Sequence, residues 1–155
     1  MIICFEGPDG AGKSTLLREF NRLTDYEHIT VDRLHLSHMV YAQQAKRKEH
    51  ELPILRHEAG EEFRKFMYSV KPLIVYLYAS RAVLEERISM KGEDPSQGMD
   101  VTASMSIYDE LIKKSGFMER ILKIDTTMNP TWRSMTERIV GKIGSLQRSE
   151  LGRHS

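Results

Sequence analysis

A glycine-rich turn between an apolar run and a helical pattern constrains the fold of this chain more than any other feature. Residues 7–14 read GPDGAGKS and match the spacing G-x-x-x-x-G-K-[ST]. The preceding residues 1–5, MIICF, are typical of a buried strand, and residues 15–20, TLLREF, are typical of the start of a helix. Because such a turn binds phosphate when it joins a strand to a helix, the sequence predicts a phosphate-binding loop.

The residue types within the turn suit a polyphosphate. Small residues allow successive backbone N–H groups and the N-terminus of the following helix to point at one anion. Lys13 supplies a mobile positive charge for the β- and γ-phosphates, and the Ser14 hydroxyl is placed for Mg²⁺. We therefore expect ATP and Mg²⁺ as the cofactors. The predicted nucleotide-binding residues are Gly7, Pro8, Asp9, Gly10, Ala11, Gly12, Lys13, Ser14 and Thr15.

Composition and charge narrow the class of protein. A chain of 155 residues with 40% hydrophobic and 29% charged residues is typical of one folded domain. Its formal charge of +1 gives no overall field that argues for a polyanionic partner. Cys4 is the single cysteine, which favours a reducing, cytoplasmic location. Because no signal-peptide pattern or membrane-length apolar stretch occurs, we expect no membrane partner.

The order of the predicted elements indicates an α/β fold. Continuous apolar runs such as residues 73–78, LIVYLY, are typical of parallel strands covered on both faces. We predict a three-layer fold of the P-loop NTPase type, with a mainly parallel sheet of about four strands. The domain spans residues 1–144, and a polar, frayed tail follows at residues 145–155. The predicted strands are residues 1–5, 27–32, 73–78 and 121–125, and the predicted helices are about 13–23, 34–48, 54–69, 81–90, 100–115 and 131–143.

Charged residues at predicted strand ends are candidates for the site, because ligands of parallel sheets bind at the carboxyl ends of the strands. Asp32 is placed to hold Mg²⁺ or to accept a hydroxyl proton, and it would also serve as a helix N-cap. Arg33 is predicted to contact a phosphate in the transition state, with a solvated helix start as the alternative. For Glu6, contact with Mg²⁺-bound water and bracing of the loop remain equally open.

Three segments together resemble the thymidylate kinases and the related deoxynucleoside kinases, a family of P-loop kinases. Residues 5–15, FEGPDGAGKST, are similar to the family's phosphate-binding loop. Residues 32–37, DRLHLS, followed by Tyr41, are similar to its D-R-[YFH]-x-x-S-x-x-x-Y segment, and residues 73–94 are similar to its strand, helix and lid. The resemblance implies ATP-dependent phosphoryl transfer to a deoxynucleoside or a deoxynucleoside monophosphate.

The resemblance also implies individual roles. Arg87 and Lys91 would close over the phosphates from the lid, although the residue pattern alone favours a solvated helix face for Arg87. Asp9 would bind a sugar hydroxyl of the acceptor. Ser37 and Tyr41 lie one turn apart on a predicted helix and are candidates for an acceptor-base pocket, with a core role as the alternative for Tyr41. The resemblance further implies an adenine site at residues 126–130. The catalytic candidates are thus Lys13, Asp32, Arg33, Arg87 and Lys91, and the metal ligands are Ser14 and Asp32.

The chain also departs from the family pattern. Only about ten residues separate the P-loop helix from Asp32, so the usual insert that supplies much of the acceptor pocket is missing. Lys91 stands where an arginine is common. We therefore expect a reduced and more open acceptor site, to which thymidylate specificity cannot simply be transferred.

Because the expected acceptor site is reduced, the sequence leaves alternative acceptors and functions to consider. A hydroxyl carried by a polynucleotide, such as hydroxymethyluracil in DNA, is the alternative acceptor, and only then would the basic residues 46–48 and His50 gain a role. An ATPase or nucleotide switch is less favoured, because no N-K-x-D or D-x-x-G motif follows the loop. The sequence is also compatible with a homodimer.

Overall fold

A parallel sheet forms the centre of the computed structural model, which describes residues 1–45, 53–94 and 100–154. Within these residues the sheet has four strands in the order β2-β1-β3-β4, and all neighbours are parallel. The strands are β1 (Ile2–Glu6), β2 (Ile29–Asp32), β3 (Leu73–Tyr78) and β4 (Ile121–Asp125). The α-helices are α1 (Lys13–Leu23), α2 (His35–Ala45), α3 (Pro53–Val70), α4 (Arg81–Met90), α5 (Val101–Lys114) and α6 (Trp132–Arg153).

Helices cover both faces of the sheet, because successive side chains of each strand point to opposite sides. On β3, Val75 packs in a core cluster with residues of α1, α4 and α6, whereas its neighbour Tyr76 packs with residues of α2, α3 and α5. Both side chains are almost fully buried. The predicted three-layer α/β fold with a parallel sheet is therefore confirmed.

Most predicted elements are present, and the largest difference lies at the C-terminus. Helix α6 continues to Arg153 instead of ending at Ile143, so the prediction of a frayed segment from residue 145 is wrong. The helix continues because Leu146 packs into the same core cluster as Ile139 and Ile143. The basic residues 46–48 and His50, and the end predicted for α2 at residue 48, lie outside the described residues.

The strand order places the loops that bear candidate site residues together. The chain leaves β1 for β2 on one side and returns to β3 on the other side of β1, so the order reverses between β1 and β3. Parallel sheets bind ligands at such a reversal, beyond the carboxyl ends of their strands. Residues 7–12 follow β1 at this point, and Asp32 ends the neighbouring β2. In the described part of the chain no helix combines the length and apolarity of a membrane span.

Candidate active site

The loop after β1 has the backbone of an anion cradle. Gly7, Gly10 and Gly12 have φ angles of 143°, 79° and 92°, a region that favours glycine. A Cβ at Gly7 would overlap the carbonyl oxygen of Leu77, so the loop can lie this close to β3 only with glycine there. Gly12 is the N-cap of α1 and offers no side chain to its first N–H groups, which are thereby left for a bound anion.

Lys13 lies beneath this loop and is 5% exposed. Its Nζ donates a hydrogen bond of 2.8 Å to the carbonyl oxygen of Pro8. Burial, followed by the nearby charge of Arg33, lowers the pKa of Lys13 to about 8, against the opposing charges of Asp9, Asp32 and Glu6. A phosphate chain in the loop would restore the charged form by attraction, so the lysine is suited to bind a polyanion.

Ser14 and Asp32 meet as a pair of oxygen ligands. The Ser14 hydroxyl donates a hydrogen bond of 3.0 Å to Asp32 Oδ2, and both residues are exposed. A hydroxyl and a carboxylate suit Mg²⁺, which prefers oxygen ligands and completes its octahedral shell with water and phosphate oxygens. The two predicted metal ligands are thus adjacent, and their chemistry fits the ion.

Arg33 is held in an unusual backbone conformation at the end of β2. Its φ of 61° is left-handed, a conformation that costs a non-glycine residue about 1–3 kcal/mol. The Arg33 N–H donates a hydrogen bond of 2.9 Å to the carbonyl oxygen of Phe5, which fixes the residue beside β1. The guanidinium forms an ion pair with Asp9 and lies 5.3 Å from the ring centre of Tyr41. The structure therefore joins Asp9, Arg33 and Tyr41 at one side of the loop.

Glu6 is the acidic residue of the site that is most deeply buried, with 1% exposure. Its carboxylate accepts hydrogen bonds from the backbone N–H groups of Leu34 and Ser37, at 2.9 and 3.1 Å, and from the Ser37 hydroxyl. Burial raises the pKa of the Glu6 carboxyl, and these hydrogen bonds and the charge of Lys13 oppose that effect. Of the two roles left open by the sequence, these contacts favour bracing.

Arg87 contacts the loop from α4 through a set of fixed hydrogen bonds. Its guanidinium donates to the carbonyl oxygen of Gly10 at 3.1 Å and to the Oγ1 and carbonyl oxygen of Thr126 at 3.0 and 2.7 Å. It also donates to Asn129 Oδ1 at 2.7 Å. These bonds join the phosphate-binding loop to the segment after β4. The phosphate contact expected of Arg87 stays a prediction, whereas its bracing contacts are present.

Two cavities are lined by residues of the loop, and a third lies beside them at the start of α2. One of about 250 Å³ contains Lys13, Ser14 and Arg33 and is here called the phosphate cavity. One of about 660 Å³, the base cavity, lies between Arg87, Trp132 and the loop. The acceptor groove, of about 500 Å³, is open and lies against α2. Its lining residues are Arg33, Leu34, Ser37, His38, Tyr41 and Ala42.

Neighbouring cavities share lining residues and are therefore adjacent. Lys91 lines both the base cavity and the phosphate cavity, and Arg33 lines both the phosphate cavity and the acceptor groove. Residues 126 and 129–130, from the segment predicted to hold adenine, line the base cavity. The arrangement can therefore accommodate a base, a phosphate chain and a second molecule in neighbouring cavities.

Sequence reasoning missed two residues of this region. Trp132 lines the base cavity, where its ring would lie 3.8 Å from a Cβ at Gly12, and it is 39% exposed. It is the single tryptophan of the chain and follows the polar residues Asn-Pro-Thr, which is the signal by which the sequence marks it. Tyr108 lies buried on α5, 2.7 Å from the Ser37 hydroxyl oxygen. Its spacing is that of a core residue, so nothing in the sequence marks it.

Comparison with known proteins finds similarity at both the sequence and the structure level. No protein-family model matches the chain. The SPbeta prophage-derived uncharacterized protein YorR of Bacillus subtilis (strain 168) is 28% identical over 106 residues, which cover 68% of this chain and 61% of YorR. The aligned chain thus spans less than two thirds of this relative.

Solved structures share the fold over nearly the whole chain. The structure of Bacillus subtilis YorR in complex with phosphorylated GDP matches with a TM-score of 0.68 and 21% identity, over 100% of this chain and 99% of that chain. Deoxyadenosine kinase from M. mycoides with dCTP bound matches with a TM-score of 0.66 and 16% identity, over 94% and 100%. These likenesses show that the chain shares the α/β fold of these proteins, with a parallel sheet of four strands in its described part. They do not indicate thymidylate kinase in particular.

Proposed function

We propose that this protein is a kinase that transfers the γ-phosphoryl group of ATP to a hydroxyl of a deoxynucleoside or to the phosphate of a deoxynucleoside monophosphate. The observation that carries the proposal is that three cavities adjoin one another. Lys91 lines both the base cavity and the phosphate cavity, and Arg33 lines both the phosphate cavity and the acceptor groove. Phosphoryl transfer needs the donor, the moving group and the attacking oxygen in one line. An ATPase needs no acceptor groove.

The donor phosphates lie against the loop in this proposal. The backbone N–H groups at the start of α1 and the ammonium group of Lys13 bind the β- and γ-phosphates. Lys91, which lines the same cavity, neutralises the charge that develops as the group moves. Arg87 keeps the loop in shape through its bonds to Gly10 and Thr126, and the donor base occupies the cavity between Arg87 and Trp132.

The acceptor approaches from the opposite side. Its base lies in the groove along α2, and its reactive oxygen points to the phosphate cavity, where Arg33 contacts the transferring group. Ser14 and Asp32 would hold Mg²⁺, which supplies charge neutralisation of the phosphates when bound. Asp32 is also placed to accept the proton of an attacking hydroxyl, because its carboxylate is exposed at the same edge of the sheet.

The solved neighbours support this assignment of substrate class. The YorR structure contains phosphorylated GDP, and deoxyadenosine kinase structures contain deoxycytidine nucleotides or dATP. A fold shared with proteins that bind such ligands favours a nucleotide donor and a deoxynucleoside acceptor.

The test is a transfer assay with ATP labelled at the γ-phosphate. The protein is incubated with labelled Mg-ATP and a panel of deoxynucleosides, deoxynucleoside monophosphates and DNA containing hydroxymethyluracil, and products are separated by chromatography. Label on a small nucleoside or nucleotide supports the proposal. Label on DNA alone favours the polynucleotide acceptor, and acceptor-independent release of phosphate favours an ATPase. Either of these two results contradicts the proposal.

A matched pair of variants assigns the activity to this site. Lys13→Met should abolish transfer, because the buried ammonium group is lost from the phosphate cavity. Lys113→Met removes an exposed lysine on α5 and should leave transfer unchanged. If both variants transfer label like the wild type, the assigned site is wrong.

A further inference from the structure

Glu6 is a buried acidic residue whose carboxylate the proposed transfer does not use. It ends β1, directly before the phosphate-binding loop, and is 1% exposed. Burial of a carboxylate is unfavourable unless hydrogen bonds compensate it. Here the donors are the N–H of Leu34, the N–H of Ser37 and the Ser37 hydroxyl. Each of these groups belongs to the start of α2 or to the residue before it, so the carboxylate fastens that end of α2 to β1.

These hydrogen bonds lie next to Arg33, the residue of the site that has a left-handed backbone conformation. Arg33 donates its N–H to the carbonyl oxygen of Phe5 at 2.9 Å, and Leu34 donates its N–H to Glu6 Oε1 at 2.9 Å. Two consecutive N–H groups are thus bound by two consecutive residues of β1. Because the φ of 61° at Arg33 is unfavourable for a side chain other than glycine, contacts on both of its sides must maintain it.

The hydrogen bonds of Glu6 and Ser37 extend through Tyr108 to the phosphate-binding loop. The Tyr108 hydroxyl oxygen lies 2.7 Å from Ser37 Oγ and 3.3 Å from the carbonyl oxygen of Gly7. The buried polar groups of Glu6, Ser37 and Tyr108 therefore connect β1, α2, α5 and the loop. A displacement of any member would alter the position of α2 relative to the phosphate cavity.

We propose that Glu6 is a positioning residue, which holds Arg33 in the left-handed conformation that places its guanidinium at the phosphate cavity. The inference rests on the proposed function, because it takes Arg33 as the residue that contacts the transferring group. A carboxylate is required, since both of its oxygens face donors. An amide at this position would turn its NH₂ group toward an N–H donor and lose one of the bonds.

A double-mutant cycle tests whether Glu6 acts through Arg33. Transfer rates at saturating Mg-ATP are measured for the wild type, Glu6→Gln, Arg33→Ala and the double variant, well below their melting temperatures. When Arg33 is present, we expect Glu6→Gln to slow transfer by about 10- to 100-fold. Misplacement of a catalytic group by about 1 Å reduces a rate by about this factor. In the Arg33→Ala background, Glu6→Gln should have less than about a twofold effect. Equal effects in both backgrounds overturn the inference.

A control variant separates positioning from general stability. Thr30→Val removes the hydrogen bonds between Thr30 and Asn21, which join β2 to α1 away from the groove. It should lower the melting temperature and have the same small effect on transfer in both backgrounds. If Thr30→Val reproduces the cycle of Glu6→Gln, coupling reflects stability alone and the inference fails.

Ser37→Ala tests the inference if Glu6→Gln folds poorly, and a crystal structure of Glu6→Gln tests it if the wild type shows no transfer. Ser37→Ala keeps the bond between Leu34 and Glu6 and removes only the hydroxyl, so it should give a weaker coupling of the same sign. A crystal structure of Glu6→Gln should show Arg33 outside the left-handed region. A left-handed Arg33 with an unchanged ion pair to Asp9 in that structure overturns the inference independently of activity, whereas lack of transfer by the wild type overturns only the proposed function.

Discussion

The Ser14 hydroxyl lies 3.0 Å from Asp32 Oδ2, so the first residues of α1 and the last residue of β2 meet at one edge of the sheet. The contact follows from the parallel pairing of β1 with β2, in which Phe5 is opposite Asp32. The loop that leaves β1 therefore passes the Asp32 carboxylate before it enters α1. This adjacency of a hydroxyl and a carboxylate is the basis for the proposed Mg²⁺ site.

Asp32→Asn should slow Mg²⁺-dependent transfer by about 100-fold, because an amide is a poor ligand for Mg²⁺ and cannot accept the proton of a hydroxyl. ATP binding measured with EDTA present should change little, since the loop and Lys13 are intact. Asp125→Asn is the matched control. Asp125 also ends a strand, but it accepts hydrogen bonds from Thr127 N and Oγ1, so its loss should not affect transfer. Equal activity of Asp32→Asn and wild type would exclude Asp32 from the transfer site.

Lys13→Met should raise the melting temperature of the ligand-free protein at neutral pH while it removes nucleotide binding. The pKa of Lys13 is lowered from 10.5 to about 8, chiefly by burial, which means that the charged form is unfavourable in the folded state. The corresponding gain in the free energy of unfolding is about 3 kcal/mol or less. Thermal unfolding of both proteins at pH 7, without ligand, measures it. A lower melting temperature for Lys13→Met would contradict this account of its burial.

The same lowered pKa predicts a pH dependence with a definite sign. Between about pH 8 and 10.5 the unfolded chain binds more protons at this lysine than the folded protein does. The contribution of Lys13 to stability therefore rises with pH across this window. The difference in melting temperature between Lys13→Met and wild type should shrink as the pH is raised from 7 to about 10. A difference that is constant over this range would contradict the lowered pKa.

Arg87→Lys should weaken both the ligand-free fold and nucleotide binding, even though it preserves the charge. A lysine lacks the planar guanidinium group and cannot donate to the oxygens of Gly10, Thr126 and Asn129 at the same time. Lys91→Ala, at an exposed position, should slow transfer and leave the melting temperature unchanged. Thermal unfolding combined with the transfer assay distinguishes the two. If Arg87→Lys behaves like wild type in both measurements, Arg87 acts only through its charge.

Binding of ATP should quench the fluorescence of Trp132. It is the single tryptophan and lines the base cavity, so the signal reports on that cavity alone. Stacking of a purine on an exposed indole is favourable and alters its emission. Inorganic tripolyphosphate is the control, because it can occupy the phosphate cavity but carries no base. Calorimetric binding of ATP without any change in emission would place the base elsewhere.

The sequence predicted which candidate residues lie together wherever those residues directly follow a strand. The loop at residues 7–14, Asp32 and Arg33 all lie next to apolar runs, and parallel strands bring such ends together without further information. The Tyr108 contact depends on how α5 packs against α2, about 70 residues earlier in the chain. Local patterns do not contain that packing, so this part of the site could not be predicted.

The length of the C-terminal helix α6 could likewise not be predicted from local sequence patterns. Gly141 and Gly144 favour a helix end near Ile143, and the residues that follow are polar. Burial of Leu146 against the core outweighs the cost of the glycines, and α6 extends to Arg153. Tertiary packing, which a single sequence does not display, decides the length of this helix.

Calorimetric titration of Mg-ATP into the folded protein tests directly whether the loop at residues 7–14 binds a polyphosphate. We expect heat of binding at one site in the wild type and none in Lys13→Met. Absence of heat with Mg-ATP and with Mg-GTP, together with no rise in melting temperature on addition of either nucleotide, would contradict polyphosphate binding by this loop.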